Sequence, residues 1–137
     1  MVHTELKITA DTNVRVRAVV ADDKKQARAA AKVLKGAELI AVTLPSLCEF
    51  VWVLRGVYQF GQEDIVAVLE ALLNAENVAV NRPAVDAGLS ILKAGVDFAD
   101  GLIAYEGAWL GGDTFVSFDK QAVSLLSDQG KRAKLLQ

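Results

Sequence analysis

Short apolar runs alternate along the chain with longer stretches in which apolar residues recur every three or four positions, a pattern that predicts strands and helices in turn. Residues 7–10 read as a buried strand, and 39–42, 77–80 and 114–117 as three more. Between them, Asp22 and Asp23 precede an Ala-rich helix running to Lys35, with Gly36 as its expected C′ stop. Thr43 reads as the N-cap of a helix to about Tyr58, with Pro45 in its first turn. That helix is apolar nearly all round. Further helices are expected over 61–74, from Pro83 to about 93, from Asp97 or Phe98 to about 110, and over 120–126. The Gly111-Gly112 pair is a turn and not a phosphate loop, because no Lys follows at the required spacing. The expected fold is therefore α/β, a single-domain parallel sheet of about four to five strands over residues 1–137, covered by helices on both faces. There is no internal repeat, low-complexity segment or linker.

Composition sharpens this picture in three ways. A chain of 137 residues can bury roughly two thirds of its unfolded surface as one domain. Its 53% apolar content exceeds the usual 45–50% or so, yet no run approaches the ~20 residues of a membrane span, so the surplus is assigned to a partner interface. A lone cysteine, Cys48, excludes an intramolecular disulfide, and the start lacks the pattern of a signal peptide, so a reducing cytoplasm is expected. With only His3 and Cys48 as soft or borderline donors, zinc has almost no ligands, whereas oxygen donors for Mg²⁺ or Mn²⁺ are plentiful.

The chemistry-bearing residues are acids at strand ends and helix starts. Asp11 ends the first strand, where ligands of open α/β sheets bind; a simple cap by Asp11 or Thr12 is the alternative. Glu49 stands in Leu47-Cys48-Glu49-Phe50-Val51-Trp52-Val53-Leu54 with no polar helix side to turn to, so it is expected to be neutral, paired or metal-bound. Arg55 lies six residues on, about 600° around the helix, and cannot pair with it there. Asp97 and Asp100 are neighbours on one helix face, unfavourable without a cation unless Asp97 is an N-cap. Gly101 would let another segment approach Asp100 closely. Asp119 follows the fourth strand and is a cap or a ligand. The net charge of −2 argues against a general nucleic-acid surface. Setting these five acids aside from the 17 leaves 12 against 15 basic residues, so the remainder is positive by 3 and compatible with a phosphodiester.

Asp11-Thr12-Asn13-Val14, Cys48 to Leu54, Asp97 to Ala104 and Ser117-Phe118-Asp119-Lys120, in that order and spacing, resemble a PIN-domain ribonuclease of the VapC toxin group. The resemblance implies a metal-dependent endoribonuclease held inactive by a VapB-like antitoxin, as a homodimer and toxin–antitoxin hetero-oligomer without a membrane. Asp11, Glu49 and Asp100 match the family's three core acids, Asp119 its more variable fourth, and Asp97 an accessory acid. Thr12 and Asn13 fall where polar side chains brace the first acid or a metal-bound water. Arg15 departs from the pattern, which usually continues with an apolar residue after Val14.

On this reading the acids hold one or two Mg²⁺ or Mn²⁺ ions that orient a water for in-line hydrolysis of RNA. Arg15, Arg17, Arg82 and Lys120 are the candidates for positioning its backbone. The aromatic and apolar residues Phe50, Trp52, Val57 and Tyr58, extended by Phe60, are expected to form an antitoxin groove, with a core role as the alternative for Trp52. Two other readings remain. A haloacid-dehalogenase-type phosphatase also opens with Asp-x-Asp, but Asn13 has no proton to give a leaving group. A non-catalytic PIN-like interaction module would keep the fold and bind only its partner.

Overall fold

The computed structural model describes residues 6–137, so His3 lies outside the described residues. Seven helices and five short parallel strands follow one another among them, a mixed α/β architecture. The chain divides into two compact units, residues 1–81 and 82–137.

The first unit is a three-stranded parallel sheet in the order β1 (Lys7–Thr9), β2 (Leu39–Ala41), β3 (Val78–Ala79). Ile8 pairs with Ile40, which in turn pairs with Val78. Parallel neighbours need crossovers, here the helix pairs α1 (Thr12–Val20) with α2 (Lys24–Gly36), and α3 (Leu44–Gly56) with α4 (Gln62–Asn74). On α4 the buried residues Ile65, Leu69, Leu72 and Leu73 fall on one stripe. They join Ile40, Leu47, Phe50, Val51 and Leu54 among the buried apolar residues of this unit.

Four expectations change here. β1 is not buried: Lys7 and Thr9 are exposed and Ile8 is half-buried. The helix α1 is new, packing against both α2 and α3 through a face that buries Thr12 and Val16. Gly36 is the last residue of α2 and not a left-handed stop; Ala37 follows in extended backbone and donates its N–H to Val33 O. Lastly, α3 is not apolar all round. Leu47, Phe50, Val51 and Leu54 face inward, while Glu49, Trp52 and Arg55 are exposed.

The second unit opens with α5 (Arg82–Lys93) and α6 (Phe98–Trp109), the most extensively packed pair of elements in the chain. It continues through β4 (Thr114–Ser117), α7 (Lys120–Asp128) and β5 (Arg132–Leu135), with β4 and β5 parallel and in register from Thr114–Arg132 to Ser117–Leu135. Ile91, Val96, Ala122 and Leu126 form its core, with Ala104, Phe115 and Ala133 packed against them. Among the described residues the four located strands are joined by a fifth, β5, that was not located in the sequence, and they form two ladders where one sheet was expected.

Two glycines explain the tight α5–α6 packing. A Cβ on Gly101 would stand 2.6 Å from the Ala87 carbonyl oxygen and 2.7 Å from Gly88 Cα, and one on Gly88 would run into Phe98 and Leu102. Backbone cannot step aside as a side-chain end can, so Gly101→Ala should destabilise the protein by about 1–3 kcal/mol. Urea denaturation reads this; an unchanged midpoint would mean that the helices separate without cost.

Candidate metal-binding carboxylates

The sequence explains why acids gather at helix starts. Each such start leaves backbone N–H groups unpaired and carries the positive end of the helix dipole. Three of the four aspartates at N-cap positions answer that need directly. Asp23 Oδ1 accepts from Gln26 N–H at 3.1 Å, Asp97 Oδ1 from Ala99 N–H at 3.2 Å, and Asp119 Oδ1 from Ala122 N–H at 3.1 Å. Thr43 does the same with its hydroxyl, accepting from Ser46 N–H at 3.3 Å.

Asp11 is the exception. It occupies the N-cap of α1 in extended backbone, yet its side chain makes no capping hydrogen bond, and it is exposed. The cap alternative fails for this residue. Its carboxylate stands at the carboxyl end of β1, steadied by the dipole of α1 and uncommitted to the backbone. The next residue, Thr12, is 6% exposed, and its Oγ1 donates to Ser46 O at 3.5 Å, tying the start of α1 to the start of α3. Ser46 had no place in the sequence reading, and nothing but its position after the Thr43 cap would have marked it. Asn13 is exposed beside these residues.

Glu49 lies in the second turn of α3, after the neighbouring strand β2, so it shares the carboxyl side of the sheet with Asp11. It is exposed, which corrects the expectation that it is enclosed by apolar residues. The cost of an unpaired buried carboxylate therefore does not apply to it.

In the second unit the acids crowd. Asp100 sits half-buried in the first turn of α6, behind the Asp97 cap. Burial raises its pKa first, and the charges of Asp97 and Asp119 raise it further. Gly101 and Gly88 fix the backbone on which Asp100 stands, as the small residue beside the acid suggested. Gly88 was missed, although a glycine inside a helix is a mark of close approach. The Asp119 main chain is itself braced, its N–H donating to Ser117 Oγ at 2.9 Å. Asp97 and Asp119 each spend one oxygen on a cap and keep Oδ2 for another partner.

Among the described residues, no group of three or more His, Cys, Asp or Glu side chains stands ready to hold a metal ion. The candidate donors within each unit are nonetheless carboxylates, hard oxygen ligands of the kind that suits Mg²⁺ or Mn²⁺. An acid like Asp100, disfavoured as an anion by its neighbours, gains most from a nearby cation.

The remaining candidates separate. Arg17 is ion-paired to Asp22 at 3.0 Å. Arg15 is half-buried and lines a hollow with Ala37, Asn77 and Val78, at the amino-terminal side of β2 and β3, away from the strand end that Asp11 follows. The geometry therefore sets Arg15 apart from Asp11, while the charge of Arg17 is already engaged by Asp22. Arg82 is the exposed first residue of α5, and Lys120, exposed and next to Asp119, opens α7. Of the expected groove residues, Phe50 is 1% exposed and belongs to the core, which corrects its assignment. Trp52 and Val57 are 68% and 59% exposed, so the core alternative for Trp52 is overturned. Tyr58 is half-buried and donates its hydroxyl to Asp22 Oδ2 at 3.1 Å.

The model of the PIN domain family matches residues 8–125. The chain belongs to that family, whose members have a nuclease-type fold and commonly depend on a divalent metal. A comparison with curated proteins finds no match.

Proposed function

We propose that this PIN domain is a metal-dependent endoribonuclease and the toxin of a toxin–antitoxin pair, inhibited by a VapB-like partner. The observation that carries the nuclease reading is Asp100, half-buried with two like charges acting on it. By the family resemblance Asp11, Glu49, Asp100, Asp119 and, in an accessory role, Asp97 are the carboxylates that would hold Mg²⁺ or Mn²⁺. When bound, such an ion lowers the pKa of a water and neutralises charge developing on the phosphate. The chain's own part is to hold and orient. Asp11 contributes an oxygen pair that no backbone group competes for. Thr12 ties the helix start beneath it to α3. Lys120 offers a point charge for a phosphate oxygen. The water oxygen forms the new bond to phosphorus and gives up a proton, the bond to the leaving ester oxygen breaks, and that oxygen takes up a proton as it departs, so no side-chain nucleophile is needed. RNA cleavage by the purified protein in Mn²⁺, absent in chelator, tests the reading. An inert protein that still binds a partner would instead be the non-catalytic module.

The antitoxin reading rests on the exposed apolar surface at Trp52 and Val57, since large apolar residues in water mark interaction sites. Trp52→Ala should leave the melting temperature of the free protein nearly unchanged, because surface substitutions stay within about 0.5 kcal/mol. It should weaken antitoxin binding by about 2 kcal/mol, as loss of an aromatic anchor does. Calorimetric titration with the antitoxin measures this, and equal affinities would remove α3 from the interface.

A further inference from the structure

We propose that the hollow lined by Arg15 in the first unit binds a small amphipathic carboxylate, an apolar chain ending in a single negative charge. The hollow measures about 620 Å³, within the roughly 300–1,000 Å³ of small-molecule sites. Its floor is apolar, with Leu34, Ile40 and Leu72 among the lining residues. Asn77 braces the walls: its Nδ2 donates to Leu34 O and to Ala37 O, each at 3.0 Å, joining the end of α2 and the approach to β2 to the chain entering β3.

Into this setting the sequence puts an arginine. Arg15 is half-buried and, among the described residues, has no hydrogen-bond or ion-pair acceptor. Burial lowers its pKa, but a guanidinium stays charged at neutral pH and keeps five donors in a fork that matches a carboxylate. A cation withdrawn from water without a partner is costly, and an incoming anion relieves that cost. The rim sets the charge of the ligand. Lys35 adds a second positive group, and Glu76, which pairs with neither cation, adds one negative. The surplus is a single positive charge, which favours a monoanion, while the floor favours an alkyl chain over a sugar or nucleotide. The hollow is separate from Asp11, and the proposal stands or falls independently of the nuclease reading.

Decanoate and its neutral counterpart decanol serve as probes, followed by NMR titration of the whole protein. Decanoate should shift backbone signals of Leu34, Ala37, Ile40 and Asn77 and bind about tenfold more tightly than decanol, the difference a charge-assisted pair supplies. Arg15→Met, which keeps the apolar stem, should erase the preference for decanoate. Lys35→Gln, at an exposed position that folding does not need, should weaken decanoate a few-fold and leave decanol unchanged. The proposal is overturned if decanoate moves none of these signals, if decanol binds the parent equally well, or if both variants bind decanoate as the parent does. Should Arg15→Met fail to fold, the decanol comparison and Lys35→Gln decide the matter alone.

Discussion

Asp100→Asn should lower manganese-dependent RNA cleavage by about a thousandfold, and Asp11→Asn should do the same, with both proteins folded. A metal ion supplies several kcal/mol of charge stabilisation at the transition state; at about 1.4 kcal/mol per decade, losing its hold costs about three decades of rate. Asparagine keeps the volume of aspartate and removes only the charge. At Asp11 no cap is lost, because its side chain makes none. At Asp100 the substitution removes an anion that burial and two acids already disfavour. By contrast, Asp97→Asn and Asp119→Asn keep a capping oxygen and should cost less, since each parent residue holds its helix start as well. A labelled RNA on a denaturing gel reads the rates. Undiminished cleavage by the Asp11 or Asp100 variant would take that acid out of the chemistry.

The second large effect concerns stability. The folded pKa of Asp100 is raised, so its contribution is fully present below the unfolded value near 4 and is lost as pH rises through the folded pKa. Asp22 runs the other way: hydrogen bonds from Tyr58 and Arg17 lower its pKa against the opposing effect of desolvation, so its contribution is present above the unfolded value and changes only in stronger acid. Of the two, Asp100 is the group whose contribution is lost as pH rises, so the chelated protein should melt at a lower temperature at pH 8 than in mild acid. Mn²⁺ reverses this by binding the ionised acids of the folded chain alone. At a hundred times its dissociation constant it adds about 2.7 kcal/mol, about 10 °C in a domain of this size. Asp100→Asn supplies the control, melting higher than the parent in chelator at pH 8 and gaining less from Mn²⁺. Coincident parent melts in chelator and in millimolar Mn²⁺ would leave the acids as caps and ion pairs.

Most helices were legible in the sequence because their ends carry chemistry. Asp23, Thr43 and Asp97 stand where a cap is wanted, and each makes a capping bond, for Asp97 the alternative to a ligand role. The helix α1 was not legible. Its Val14-Arg15-Val16-Arg17 alternates like a strand, and packing against α2 and α3 overrides that local preference. The turn after it was equally hidden, since Ala21 takes the left-handed conformation that glycine usually marks. β5 was lost among the charges of Lys131, Arg132 and Lys134, although Ala133 and Leu135 alternate with them and are the half-buried positions. The candidate acids were found because strand ends and helix starts are recognisable. Their surroundings were not, because whether Glu49 is buried depends on which side of α3 meets a neighbour, and an apolar sequence on every side leaves that undetermined.

Titration of Mn²⁺ into the metal-free protein at pH 8, followed by calorimetry for the parent, Asp11→Asn and Asp100→Asn, tests the metal-binding claim most directly. Saturable binding to the parent, weakened at least tenfold in each folded variant, is the predicted result. No binding to the parent, or equal binding in all three, would contradict it.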